Sequence, residues 1–232
     1  MRTAIMQPYF FPYIGYFQLI RSVDRFVVYD NIKYTKKGWI NRNRILQNGA
    51  PVWFSLPLMA GSDGLDIGAR YLASDFKPES LLNRLHGTYR RAPCFEAVYQ
   101  LAEGILRHPD PNLFAFLEYG LHRVCDHLGI QTEWVVSSRV PIDHDLKAQE
   151  KVIALCRAVG TDLYVNPIGG QSLYERAAFA EEGIELRFLQ ADPVEYRQFD
   201  AEFVPWLSIL DVMMFNTVEE IQQRFLPGYT LL

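Results

Sequence analysis

No run of this 232-residue sequence approaches the roughly 20 uninterrupted apolar residues that span a bilayer, which argues against membrane insertion. Cysteine is scarce. Cys94, Cys125 and Cys156 are odd in number and far apart, so they read as buried thiols of a reducing compartment rather than a disulfide framework. The histidines, His86, His108, His122, His127 and His144, lack metal-ligand spacing, and His122 and His127 are five apart and off a common helical face, so no metal site is expected. A Walker loop, a GxGxxG fingerprint and a nucleophile elbow are also missing. The opening Met1-Arg2-Thr3-Ala4-Ile5-Met6-Gln7-Pro8 has neither an apolar core nor a small-residue cleavage site, so a cytoplasmic location is expected.

Hydrophobic residues make up 49% and charged residues 22% of the chain, enough apolar material for one sizeable core. The net charge of −4 disfavours indiscriminate binding to nucleic acid. That charge is uneven. Residues 31–62 carry Lys33, Lys36, Lys37, Arg42 and Arg44 and no acid, so the rest of the chain holds −9 against this island of +5. A local anion site and a solvated basic loop both fit such an island.

Apolar runs and their breakers predict the fold. Thr3-Ala4-Ile5-Met6 ends at Gln7-Pro8 as a buried strand would, residues 14–20 look helical, and Arg25-Phe26-Val27-Val28-Tyr29-Asp30 is a second strand. Strand, short helix, strand is a βαβ unit with parallel strands. Val52-Trp53-Phe54-Ser55-Leu56-Pro57 is the next strand candidate, and Pro78 and Asp110-Pro111 start helices in a helical insertion at about 75–128. Helices ending at Gly129, Gly160 and Gly183 are each followed by an apolar run. The expectation is a single α/β domain over residues 1–232, with an open, doubly wound, mostly parallel sheet. In such sheets ligands bind at the carboxyl ends of the strands, so the segments after residues 6, 30, 57 and 165 should face one cleft.

Three motifs fall there. In Gln7-Pro8-Tyr9-Phe10-Phe11-Pro12-Tyr13-Ile14-Gly15-Tyr16-Phe17, six of the nine residues 9–17 are aromatic, interrupted by Pro12 and Gly15. Proline and glycine fix a loop whose backbone approaches a ligand closely, and tyrosines offer flat stacking surface with a hydroxyl handle. Lys36-Lys37-Gly38-Trp39-Ile40-Asn41-Arg42-Asn43-Arg44 combines forked guanidinium donors with neutral amides, the chemistry of phosphate or carboxylate recognition. Along a strand, Asn41 and Asn43 would share one face and Arg42 and Arg44 the other. Asn166-Pro167-Ile168-Gly169-Gly170-Gln171-Ser172 follows a strand and precedes a helix, where an anion could sit. Ser208 and Asp211, three apart, suit a helix cap and a first-turn acid.

These runs, with Leu207-Ser208-Ile209-Leu210-Asp211, resemble the WbqC-like proteins associated with O-antigen and related surface-glycan gene clusters. The likeness implies a lipopolysaccharide pathway and a transferase that moves an acyl or aminoacyl group to an amino sugar, with a nucleotide sugar as substrate. Aminoacyl-tRNA or acyl-CoA would be the donor. The strand–loop–Tyr13-Ile14-Gly15-Tyr16–helix pattern also resembles HIGH-motif nucleotidyltransferases with both histidines replaced by tyrosine. Two alternatives stay open: an ATP-using nucleotidyltransferase or ligase with an altered motif, and a non-catalytic nucleotide-sugar-binding accessory protein. On the leading reading, Lys37, Arg42 and Arg44 bind phosphates. Tyr9, Phe10, Tyr13, Gly15, Tyr16 and Trp39 wall the pocket, and Gln7, Asn41 and Asn43 orient the acceptor. Asn166, Gly169 and Gly170 complete the binding surface. Asp30, Tyr16 and Asn41 are the catalytic candidates, with Asp30 as base and a turn cap as its alternative role.

Overall fold

Short apolar runs punctuated by Gly, Pro and Asn resolve, in a computed structural model, into an α/β fold; residues 1–62, 64–199 and 202–232 are described. In chain order the main elements are β1 (Arg2–Met6), α1 (Ile14–Arg21), β2 (Arg25–Val28), β3 (Arg42–Gln47), β4 (Ala50–Ser55), α2 (Pro78–Tyr89), α3 (Phe95–Leu106), α4 (Leu113–His127), β5 (Glu133–Val136), α5 (Ala148–Ala158), β6 (Leu163–Pro167), α6 (Arg176–Glu181), β7 (Glu185–Ala191), α7 (Ile209–Phe215), α8 (Val218–Glu220) and β8 (Tyr229–Leu231).

The main sheet runs β5-β2-β1-β6-β7-β8, parallel throughout except for the antiparallel edge strand β8. The predicted βαβ unit is present, with Thr3 opposite Arg25 and Met6 opposite Val28 in parallel register. Successive side chains of a strand point to opposite faces. Ala4, Phe26, Val28, Val165 and Leu189 accordingly enter one apolar cluster with α1, α3, α4 and α7, while Ile5, Val27, Tyr164, Leu186 and Phe188 enter a second with α5 and α6. Burial on both faces explains why these strands are continuous apolar runs rather than alternating ones.

The predicted glycine stops hold: Gly129, Gly160 and Gly183 have φ of 67°, 72° and 73°, the left-handed conformation that ends a helix. Two other expectations need correction. The cap of α4 is Asn112, whose side chain accepts from Ala115 N, while Asp110 accepts from Asn112 N. The strand predicted at 52–57 is β4, which pairs antiparallel with β3 in a separate two-stranded hairpin. Asn48 and Gly49, with φ of 51° and 74°, make the tight turn that commits this segment to a hairpin instead of the parallel sheet.

The hairpin is moored by polar contacts. Asn43 Nδ2 donates to the carbonyls of Phe11 (2.8 Å) and Phe10 (3.3 Å), and Ser208 Oγ donates to the same Phe11 carbonyl at 2.8 Å. Ser208 N donates to Arg44 O, and its Oγ caps α7 by accepting from Leu210 N. Deeper in the core, Tyr89 Oη accepts from Leu46 N and donates to the buried Asp211 carboxylate, which also accepts from Tyr196 Oη and Gln198 Nε2. Ser208 and Asp211 thus fasten the C-terminal segment to the hairpin as well as starting a helix.

Burial holds the Asp211 carboxyl above its ordinary range, and its three donors offset only part of this. Such a group binds more protons folded than unfolded, so its ionisation erodes stability as pH rises through the folded pKa. An Asp211→Asn variant never charges. Its stability relative to wild type is expected to improve as pH rises from about 4, the ordinary carboxylate value, read from urea melts of both proteins. A wild-type advantage that grows with pH would mean that the donors dominate instead.

Candidate functional site

The sheet reverses its winding between β1 and β6, since the chain leaves β1 toward β2 and β5, then returns to its other side. At such a switch point the connections after the two neighbouring strands diverge and leave a crevice. Here the crevice is a cleft of about 720 Å³. Its wall after β1 is Gln7, Tyr9, Pro12, Tyr13, Gly15 and Tyr16, and its wall after β6 is Asn166, Pro167, Ile168, Gly169, Gly170, Leu173 and Tyr174. Tyr29 and Ile32 follow β2, Trp39, Asn43 and Arg44 come from the hairpin, and Trp206 comes from the segment before α7.

Eleven residues expected at the site therefore line one cavity: Gln7, Tyr9, Tyr13, Gly15, Tyr16, Trp39, Asn43, Arg44, Asn166, Gly169 and Gly170. Five lie elsewhere. Phe10 is buried and stacks on Phe54 at 5.5 Å. Asn41 accepts from Tyr34 Oη and donates to Leu56 O, bracing the loop before β3. Arg42 is captured by the carbonyls of Lys37 and Gly38 and lies 4.2 Å over Trp53, and Lys37 itself is exposed. Asp30 accepts from Ser137 Oγ and Ser138 N, tying the end of β2 to the end of β5 as a turn cap would. Asn43 does line the cleft, but its amide is committed to the Phe10 and Phe11 carbonyls, so it positions the aromatic loop.

Among the described lining residues Arg44 is the one charged side chain, and no carboxylate, histidine, cysteine, serine or threonine joins it. The Arg44 guanidinium donates from Nη2 to Trp206 O at 3.2 Å and lies 5.6 Å from the Trp39 ring, while its Nε is buried without an acceptor. The charge is therefore only partly compensated by protein acceptors, and a guanidinium lining a cleft is suited to an anionic ligand. The start of α1 supports the same ligand. Its cap, Tyr13, offers no side-chain acceptor and its first turn holds no acid; Tyr16 N donates to Tyr13 O, which leaves the first N–H groups, at Ile14 and Gly15, and the positive end of the helix dipole without a side-chain partner.

The phenols are donors. Burial raises Tyr9, Tyr13 and Tyr174 above their ordinary value, pushes Tyr29 up to about 12, and holds Tyr16 well above its ordinary value, so all are protonated at neutral pH. Tyr16 Oη is already spent on Gln7 O at 2.7 Å, which fixes the turn out of β1. The arrangement can hold an anion at Arg44 and α1, stack a planar ring among its aromatics and hydrogen-bond neutral groups. Among its described lining residues no carboxylate, histidine or thiol is present to act as a general base or nucleophile. The sequence pattern left Tyr29 and Trp206 unassigned. Trp206 has an unusual φ of 60° and is 58% exposed, and an isolated tryptophan between Pro205 and Leu207 was the only trace of it.

Fold and site define an α/β protein with an aromatic cleft, carrying one arginine among its described lining residues, at the switch point of a mostly parallel sheet. The chain belongs to the WbqC-like protein family, whose model matches residues 7–223. It is 30% identical over 224 residues to an uncharacterized protein of Mycobacterium tuberculosis (strain ATCC 25618 / H37Rv), Rv1507c, covering 94% of this chain and 95% of that one. No solved structure matches. No helix among the described residues is long and apolar enough to cross a membrane.

The glycine pair after β6 provides a direct test of the local geometry. A Cβ on Gly170 would overlap Asn166 Oδ1, and Asn166 is buried with its amide held by Tyr164 Oη, so it cannot swing away. A Cβ on Gly169 meets nothing within 4 Å. Gly170→Ala is expected to lower stability by about 1–3 kcal/mol and Gly169→Ala to leave it nearly unchanged, measured by thermal melts. Equal effects would show that Asn166 is not fixed as described.

Proposed function

We propose that this chain is a transferase that moves an activated acyl or aminoacyl group onto the amine of a nucleotide-linked sugar during surface-glycan synthesis. The observation that carries the proposal is the lone Arg44 guanidinium, its Nε unpaired, in a cleft otherwise lined by phenols, amides and apolar groups. That surface suits a sugar nucleotide: Arg44 and the start of α1 take the diphosphate, and the tyrosines and Trp39 flank base and sugar. Gln7, with no hydrogen bond from its side chain to the described residues, is free to orient the acceptor. The association of WbqC-like proteins with O-antigen gene clusters supports the pathway, and the cytoplasm is where nucleotide sugars and activated donors meet.

The transfer needs little from the protein beyond placement. The amine nitrogen attacks the carbonyl carbon of the activated ester or thioester, the bond to the carrier breaks, and the carrier leaves with the proton the amine gives up. An amine with a pKa near 8 is partly free at neutral pH, so a cleft without a base can still support its attack. The relation to HIGH-motif nucleotidyltransferases belongs to the same proposal. The parallel βαβ start supports that likeness, but tyrosines, Tyr13 and Tyr16, stand where its histidines would, and Tyr16 Oη is bound to Gln7 O. A neutral, occupied phenol cannot stabilise a pyrophosphate leaving group as an imidazolium does, which favours a ready-activated donor over ATP.

Two measurements test this. Calorimetric titration with a uridine diphosphate sugar is expected to show binding that Arg44→Lys weakens by about 1.5–3 kcal/mol, because the forked donor is lost while the charge is kept. Mass spectrometry of a nucleotide-linked amino sugar, incubated with the protein and either aminoacyl-tRNA or acyl-CoA, should show the mass of the added group. Unaltered affinity in the variant, or no product with either donor, would end the proposal.

A further inference from the structure

Three of the chain's four tryptophans are exposed: Trp39 at 38%, Trp53 at 48% and Trp206 at 58%. Large exposed indoles in one continuous patch mark an interaction surface. These three are linked through two arginines. Trp206 lies 5.2 Å from Tyr13 at the cleft and accepts a hydrogen bond at its carbonyl from Arg44. Arg44 lies 5.6 Å from the Trp39 ring, Trp39 lies 5.6 Å from Trp53, and Arg42 covers Trp53 at 4.2 Å. The strip begins inside the cleft and continues over the hairpin beyond it, since Trp53 and Arg42 are not part of the cleft lining.

The charge on this strip has one sign. Residues 31–62 contain five basic side chains and no acid. Where the strip ends, Arg84 donates to Trp53 O at 2.8 Å. Arg84 also lines a second concavity of about 780 Å³ at the hairpin tip, with Arg90 and Arg91 and no acidic side chain among its described residues. Flat π-faces alternating with guanidinium groups along a positive path are the recognition chemistry of single-stranded nucleic acid: bases stack and the backbone is neutralised. A neutral glycan would also stack on indoles, but its hydroxyls bind best where carboxylates and amides lie alongside. Coenzyme A brings a single base, which leaves most of the strip uncovered.

We propose that the arginine–tryptophan strip, running from Trp206 past Arg44 and Trp39, which face the nucleotide sugar, to Trp53 and Arg42 outside the cleft, docks on its outer part the single-stranded 3′ end of an RNA, the carrier that delivers the activated group to the cleft. The assignment of that RNA as donor rests on the transferase proposal; the docking itself does not. It selects aminoacyl-tRNA over acyl-CoA and accounts for a basic island in an acidic protein. Because the anchoring contacts are few and local, the overall charge of −4 is no obstacle.

The exposed indoles supply the readout. A single-stranded RNA of about seven nucleotides ending in CCA is titrated into the protein while tryptophan fluorescence is followed, with coenzyme A and a neutral maltooligosaccharide as parallel ligands. RNA is expected to quench saturably, and its affinity to fall about twentyfold between about 50 and 200 mM salt for roughly three phosphate contacts. Trp53→Ala should weaken RNA binding by about tenfold, from one lost stacking platform, with the melting temperature held. No saturable quenching by RNA, equal quenching by the oligosaccharide or coenzyme A, or unaltered RNA affinity in Trp53→Ala would overturn the docking strip. A uridine diphosphate sugar titrated in the same assay separates the two proposals. RNA bound without the nucleotide sugar would remove the transferase and leave the strip, and the reverse would remove the strip alone.

Discussion

The site depends on one carbonyl. Phe11 sits at a φ of 41°, a conformation costly for a bulky side chain, and its oxygen is held at 2.8 Å by both Asn43 Nδ2 and Ser208 Oγ. The strain costs on the order of 1–3 kcal/mol, and two buried hydrogen bonds of about 1 kcal/mol each are of the right size to hold it. Three segments far apart in sequence meet at this oxygen: the aromatic loop, the hairpin and the start of α7. Two further bonds lock the junction, from Ser208 N to Arg44 O and from Ile209 N to Pro12 O. The carbonyl that anchors the aromatic loop therefore also helps fix where Arg44 and Trp206 stand. The hairpin shares no ladder with the main sheet, so this junction, with the Leu46–Tyr89 bond and the core packing of Ile45 and Phe54, sets its position over the cleft.

The hairpin's separation from the sheet explains how a cation reaches the switch point at all. A strand of the parallel sheet is buried on both faces, so a charge there would have to be paired. β3 lies outside it and can bury Asn43 and Ile45 while presenting Arg44 to the cleft. The neighbouring Arg42, two residues away, lies against Trp53 and two backbone carbonyls instead. Strand alternation alone would have given both arginines the same surroundings. Their difference comes from the Lys36-Lys37-Gly38 turn, whose carbonyls are aimed at one of them only.

This contrast marks what sequence could convey. The βαβ opening, the glycine stops and the crowding of aromatics at residues 9–17 were legible because each follows from local rules: apolar period, left-handed glycine and the rigidity of proline. The destination of 42–55 was not, because an antiparallel hairpin and a strand of the main sheet share the same apolar signal, and the Asn48-Gly49 turn that separates them weighed too little. Asp30 was legible as a polar residue at a strand's carboxyl end, but not as the partner of Ser137 and Ser138 more than a hundred residues later. Trp206 reaches the cleft only through the long-range clamp at Phe11, which no local pattern encodes.

The composition of the cleft limits its chemistry further than its shape does. With every phenol protonated and no acid, histidine or thiol among the described lining residues, proton transfer is left to the reactants themselves. Such a site can accelerate a reaction by holding two molecules together and by stabilising developing negative charge, terms worth about 7–11 kcal/mol and 3–4 kcal/mol respectively. Both need a substrate that arrives already activated and a nucleophile that is competent at neutral pH. An ester or thioester meeting an amine satisfies the two conditions, whereas hydrolysis would need the missing base to ionise water. On the transferase proposal, the scarcity of acid–base groups among the described lining residues fits transfer to an amine better than cleavage by water, which would need a base to ionise it.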